Sequence, residues 1–148
     1  MKIYIINGPN LNLLGQREPT VYGHQTYQEL IRVVKAEGKR LKIHLQMFQS
    51  NSEGIIIDYL HRAHLHHIDG IIINPGAYTH YSYAIYDAIL GVGIPTVEVH
   101  LTDITQREPF RAISITGPAC LKTIMGQGFL SYLEAIQYIV GEIRCMKK

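Results

Sequence analysis

What the chain lacks narrows its class first. It has no apolar run near ~20 residues, so none of it is expected to span a membrane. Its two cysteines, Cys120 and Cys145, stand apart. They make neither a disulfide framework nor a metal knuckle, and a reduced, cytoplasmic compartment is the simplest reading. Charge of one sign is also missing: 14 Lys and Arg face 12 Asp and Glu, a net +2. That is too little to argue for a nucleic-acid partner, and the one basic cluster, Lys39, Arg40 and Lys42, reads as a helix end and turn. There is no tryptophan, no internal repeat, no low-complexity tract and no linker-like segment. No charged-then-apolar leader is expected, because the chain opens directly into a strand-like run. What remains is an ordinary globular composition over 148 residues, 47% hydrophobic. Such a chain fits one domain, 1–148, able to bury roughly 68–70% of its unfolded surface.

Strand and helix patterns alternate along it. Lys2–Asn7 is strand-like, and Tyr27, Leu30, Ile31 and Val34 form a helical stripe opened by the capping pair Thr26 and Glu29. Ile43–Phe48 reads as the second strand, with Ser50 and Glu53 capping a helix striped by Ile56, Tyr59, Leu60 and Ala63. Gly70–Ile73 is a short apolar strand, followed by a helix carrying Ile85, Ala88, Ile89 and Val92. Pro95–Val99 and Ala112–Thr116 are expected as strands four and five, before a last helix with Leu133, Ile136, Val140 and Ile143. The alternation predicts an α/β protein: a five-stranded parallel sheet with helices on both faces, of flavodoxin-like order by analogy.

The residues that follow the strands are polar. Strand one runs into Gly8-Pro9-Asn10, strand two into Gln49-Ser50-Asn51, and strand three into Asn74-Pro75-Gly76 with Thr79 and His80 behind. Strand four ends at Glu98-Val99-His100, with Thr102, Arg107 and Arg111 close after. In a parallel sheet these ends share the edge where ligands bind. Singly, each has a plainer reading: asparagine and glycine after a strand are turn chemistry, Arg17-Glu18 an exposed ion pair, a lone histidine a structural one. Together on one edge they point to a site. The long connection Gly8 to His24 shows no secondary-structure pattern, which suits a lid. It also holds Arg17 five residues before Tyr22. A tyrosine serving as a base needs a cation nearby, since its unperturbed pKa is about 10.

The eight histidines invite a metal reading, with His61, His64, His66 and His67 crowding one helix. No carboxylate or cysteine company is evident there, so a solvated surface is expected instead. Gly126-Gln127-Gly128 follows no predicted strand and precedes no GK[ST], so it is weak as a phosphate loop. A tyrosinate base, a histidine acid and amide side chains suit proton abstraction beside a carbonyl, in a lyase or an isomerase acting on a small polar acid.

Three segments carry a more specific signal. GPNLNLLGQREPTVYG from Gly8, INPGAYTHYSYAIYDAI from Ile73 and IPTVEVHLTDITQREPFR from Ile94 resemble, in order and in register, the signature segments of type II 3-dehydroquinate dehydratases. The resemblance spans essentially the whole chain. It implies a flavodoxin-like fold, conversion of 3-dehydroquinate to 3-dehydroshikimate by anti elimination through an enolate, no cofactor, and a dodecamer of four trimers. It makes Tyr22 the base, Arg17 the cation that lowers its pKa, Asn10 the residue that positions a water for the enolate, and His100 the acid. Asn74, His80 and Arg111 would bind substrate, Leu101 and Thr102 would hold its carboxylate through backbone N–H groups, and Glu98 would orient His100. Asp87, which faces away from its own helix's apolar stripe, would reach a neighbour's site across a trimer contact. One departure is Phe129-Leu130-Ser131, where a glycine commonly precedes the tyrosine at Tyr132. It leaves the local helix start, rather than function, to be settled.

Rival readings on the same fold fare worse. A flavin or nucleotide module wants a Ser/Thr/Gly-rich phosphate loop after strand one, where Pro9 removes a donor and Leu11, Leu13 and Leu14 follow. A receiver domain wants acidic residues there and finds asparagine. A catalytically dead homologue would lack part of the catalytic set, and none is missing.

Overall fold

The structure, a computed structural model, describes residues 1–16 and 19–147, with Pro19 and Tyr22 described by backbone alone. Five strands, β1 (Lys2–Asn7), β2 (His44–Gln49), β3 (Gly70–Asn74), β4 (Thr96–Val99) and β5 (Lys122–Ile124), form one sheet in the order β2-β1-β3-β4-β5. All four pairings are parallel, which is the expected flavodoxin-like order. The helices are α1 (Pro19–Tyr22), α2 (Tyr27–Leu41), α3 (Glu53–Leu65), α4 (Tyr83–Val92) and α5 (Phe129–Met146).

Strand periodicity divides the core in two. Ile3, Ile5, Ile72, Val97 and Val99 pack against Leu30 and Val34 of α2 and against Tyr132, Ile136, Ile139 and Ile143 of α5. Tyr4, Ile6, Ile71 and Ile73 point to the other face and meet Ile56, Leu60 and Ala63 of α3 with Ile85 and Ile89 of α4. The apolar stripes read from sequence are the buried faces, except that Ile31 of α2 packs against neither cluster and Val33 joins the core instead. Helix α2 opens with the expected capping box: the Glu29 N–H donates to Thr26 Oγ1 at 3.2 Å and the Thr26 N–H to Glu29 Oε2 at 2.6 Å.

Four expectations are corrected. The N-cap of α3 is Ser52, whose Oγ accepts from the Ile55 N–H, while Ser50 Oγ only accepts from the Ser52 N–H. The fifth strand is Lys122–Ile124 rather than Ala112–Thr116, since only the former pairs with β4, Val97 opposite Lys122 and Val99 opposite Ile124. Residues 112–116 commit their polar groups elsewhere, beginning with the Ile115 N–H, which donates to the Thr79 carbonyl at 2.6 Å. Gly126-Gln127-Gly128 consequently does follow a strand and opens α5. Finally, the stretch 8–24 is not patternless: it contains a 3₁₀ turn, Leu11–Leu13, and the short helix α1. Leu11 and Leu14 anchor it in the core.

Two glycines set the floor of the site. A Cβ on Gly8 would lie 2.3 Å from the Pro75 carbonyl oxygen, and Gly76, at φ +59°, would carry its Cβ against Pro9. The turns after β1 and β3 thus touch backbone to backbone, fastened by the Gly8 N–H donating to the Asn74 carbonyl at 2.7 Å.

Candidate active site

At the carboxyl edge of the sheet, over the β1/β3 switch point, lies a cleft of about 360 Å³. Asn10, Asn74, His80, His100, Leu101, Thr102, Arg107 and Arg111 line it, so polar side chains from the ends of β1, β3 and β4 converge as the sequence predicts. Glu98 sits directly behind His100. Asp87 does not join them: on exposed α4 surface it borders a separate groove with His61 and His64. Arg17 and the Tyr22 side chain lie outside the described residues. The turn after β2 supports the site from beneath, with Asn51 Oδ1 accepting the Asn10 N–H at 3.0 Å.

Asn10 holds φ 67°, the left-handed conformation that asparagine tolerates better than most residues. Together with the Asn51 bond, this places its side chain at the cleft wall. Asn74 is fixed at both ends of its amide: Oδ1 accepts the Gly76 N–H at 3.1 Å and Nδ2 donates to the Tyr132 hydroxyl at 2.9 Å. That hydroxyl in turn donates to Asn7 Oδ1 at 2.7 Å. Tyr132 is fully buried, and burial pushes its phenol well above the ordinary tyrosine range, so it stays neutral and bridges the two asparagines at the switch point. Sequence reasoning passed over this tyrosine except as the neighbour of Ser131. Ser131 itself is accommodated, its Oγ accepting the Gln127 N–H at 3.0 Å at the start of α5.

His100 and Glu98 form a buried pair. His100 Nε2 lies 2.7 Å from Glu98 Oε1, with Glu98 0% and His100 5% exposed. Burial alone would drive the carboxyl toward protonation. The hydrogen bond and charge attraction from His100, with smaller contributions from the Thr116 and Ser114 hydroxyls, outweigh it, and the carboxyl is held below the ordinary glutamate range. An ionised carboxylate only accepts, so the Nε2 hydrogen points at Glu98 and Nδ1 is left to serve a ligand. His80 is oriented likewise: its Nδ1 lies 2.9 Å from the Ile113 carbonyl, an obligate acceptor, leaving Nε2 for the cleft. After β4 the chain turns so that the Leu101 carbonyl is taken by the Gly128 N–H. No described group accepts from the Leu101 or Thr102 N–H, which leaves both donors for an anion at the cleft. Arg107 and Arg111 add positive charge, with Glu108 3.7 Å from the first and 3.8 Å from the second. The exposure of Glu108 keeps those contacts weak.

Among the described residues no three His, Cys, Asp or Glu side chains gather as metal ligands. The cleft instead offers an oriented histidine, paired amides, free backbone donors and arginines, a set suited to acid–base chemistry on a small anionic substrate.

The fold and this cleft define an α/β protein with a polar ligand-binding cleft at the carboxyl edge of its sheet. Comparison with known proteins narrows it further. The family described as Dehydroquinase class II matches residues 1–140. A 3-dehydroquinate dehydratase of Clostridium perfringens is 54% identical over 144 residues, 97% of this chain and 100% of the relative. Another, of Clostridium beijerinckii, is 51% identical over 148 residues, 100% of both chains. The crystal structure of a type II dehydroquinase from Butyrivibrio crossotus superposes with a TM-score of 0.93 at 48% identity, covering 94% of this chain and 97% of that one. The chain belongs to the class II dehydroquinase family.

Proposed function

We propose that this protein removes water from 3-dehydroquinate to give 3-dehydroshikimate, a step of the shikimate pathway toward aromatic amino acids, by anti elimination through an enolate. Family membership gives the dehydration. The observation that carries the mechanism is the Glu98–His100 pair, which sets the Nε2 hydrogen on the carboxylate and leaves Nδ1 for the substrate. In this reading Tyr22, as its phenolate, takes a proton from the carbon next to the ketone. The electron pair moves onto the carbonyl oxygen, where a water held by Asn10 stabilises the enolate. The enolate collapses, the bond to the leaving hydroxyl breaks, and His100 supplies the proton with which that oxygen departs as water. Arg17 lowers the phenol pKa of Tyr22 from the same lid, about residues 8–24.

Substrate is held by the remaining N–H of Asn74, by His80 Nε2 and by Arg111, with its carboxylate on the Leu101 and Thr102 N–H groups. The arginines and free donors at the cleft support an anionic substrate. Neither an imine nor a metal takes part, and no cofactor is needed. The single catalytic domain acts in the cytoplasm as a homododecamer, a tetramer of trimers, in which Asp87 reaches a partner subunit's site. Its place away from its own cleft is compatible with that role. Neither nucleic acid nor membrane is a partner, and no helix among the described residues is long and apolar enough to cross a bilayer.

Separation of the two proton transfers tests this reading. In deuterated solvent, His100→Ala should lose most product formation while unreacted 3-dehydroquinate still takes up deuterium beside its ketone. Equal loss of exchange and product would show that His100 is not a separate acid.

A further inference from the structure

The segment 112–116, expected as a strand, is instead a strap of hydroxyl donors around Glu98. Ser114 Oγ donates to Glu98 Oε1 at 2.7 Å, Thr79 Oγ1 to the same oxygen at 2.9 Å, and Thr116 Oγ1 to Oε2. The three hydroxyls also touch one another, Thr79 Oγ1 lying 2.8 Å from Ser114 Oγ and 3.0 Å from Thr116 Oγ1. The Ile115 N–H fastens the strap to the Thr79 carbonyl, and the Gly117 N–H closes a local turn on Ser114 Oγ at 2.7 Å. In this cluster only the carboxylate lacks a hydrogen of its own, so it is the terminal acceptor. Water does not reach it, since Glu98, Thr79 and Thr116 are all 0% exposed.

We propose that Thr79, Ser114 and Thr116 are positioning residues that set the acid strength of His100 through Glu98. The charged and titratable groups around the pair are few. His100 itself faces Glu98, His80 lines the same cleft, Cys120 lies near Glu98 and stays a thiol because burial pushes it up, and Arg107 and Arg111 stand across the cleft. The hydroxyls of Thr79, Ser114 and Thr116 are neutral dipoles. Hydroxyls spread the carboxylate charge without adding a cation, so Glu98 orients the imidazole yet attracts its proton less than a bare buried carboxylate would. A weaker attraction leaves the imidazolium more willing to give its other proton, the one on Nδ1, to a leaving group. Removing a hydroxyl concentrates charge on Glu98, holds that proton more tightly and makes His100 a weaker acid.

This inference rests on His100 being the acid of the proposed mechanism, and the test separates the two. Thr116→Val keeps shape and removes only the donor to Oε2, Ser114→Ala removes one donor to Oε1, and Thr116→Ser restores the hydroxyl. The His100 imidazole is titrated by NMR in the intact protein, and the pH dependence of kcat is measured alongside. Thr116→Val and Ser114→Ala should each move the His100 titration to higher pH. The alkaline limb of kcat should move with it while KM stays near the parental value, and Thr116→Ser should return both. Unchanged His100 titration in both hydroxyl-less variants overturns the proposal. A shifted titration with an unmoved kcat limb sustains the coupling and overturns the assignment of His100 as the acid.

Discussion

Tyr132→Phe isolates one oxygen atom on which the switch point depends. The ring stays and fills the same space, so no cavity is created and only hydrogen bonding changes. The hydroxyl accepts from Asn74 Nδ2 at 2.9 Å and donates to Asn7 Oδ1 at 2.7 Å. Asn7 is fully buried, and its Nδ2 keeps only a long 3.4 Å contact to the Tyr27 hydroxyl, so its Oδ1 is orphaned outright. Asn74 keeps the Gly76 bond on Oδ1 and can turn its freed Nδ2 toward the cleft. One full and one partial loss, at about 1–3 kcal/mol for each unsatisfied buried group, give ~2–4 kcal/mol of destabilisation. A freed Asn74 amide also loses its orientation toward substrate, so KM should rise, roughly tenfold for each 1.4 kcal/mol of binding lost. Urea denaturation of parent and variant, with steady-state kinetics on both, measures the two effects. A stability loss below about 0.5 kcal/mol with unchanged KM would refute the bridging role of Tyr132.

Gly8→Ala should be poorly folded or lose several kcal/mol, on the order of 3 or more, because the new Cβ meets rigid Pro75 backbone rather than a side chain that can move. A melting curve matching the parent would mean the β1 and β3 turns can part freely. Arg17→Met should lower the maximal rate far more than it weakens inhibitor binding and shift the limb assigned to Tyr22 upward, with Arg17→Lys restoring only part. A parental maximal rate with weaker binding would make Arg17 a substrate clamp instead. The lowered Glu98 pKa fixes a sign for acid stability. Its contribution is present above the unfolded glutamate value of about 4.3 and is lost as pH falls from there through the lower folded value. Glu98→Gln should therefore flatten the fall of the urea midpoint below pH ~4, and an unchanged slope would assign acid lability to other carboxylates.

Much of this is legible in the sequence because burial writes a period into the chain. Ile3 and Ile5 against Tyr4 and Ile6 alternate between two covered faces, and Ile85, Ala88, Ile89 and Val92 recur at helical spacing. The convergence of Asn10, Asn74, His80 and His100 followed from topology alone, since parallel strands bring their ends to one edge. The errors share a cause. Ala112–Thr116 is rich in β-branched residues and β5 is only Lys122–Ile124 with one buried side chain, so local pattern favours the wrong segment. Its hydroxyls satisfy a buried glutamate that lies 16 and 18 residues earlier in the chain, a contact that no local window contains. The Asn7–Tyr132 bond, across 125 residues, was hidden for the same reason. The short α1 helix was hidden by the polar composition around it, and Asp87 lies on exposed α4 surface away from the cleft.

The central claim is a dehydration that runs by acid–base chemistry at this cleft, with no covalent imine. It is tested most directly by adding 3-dehydroquinate to the purified protein and following the ultraviolet absorbance of the conjugated enone, before and after treatment with borohydride in the presence of substrate. The account predicts that absorbance rises and that the rate after borohydride treatment matches the untreated rate. No enone, or activity destroyed by borohydride with substrate attached to the protein, would contradict it.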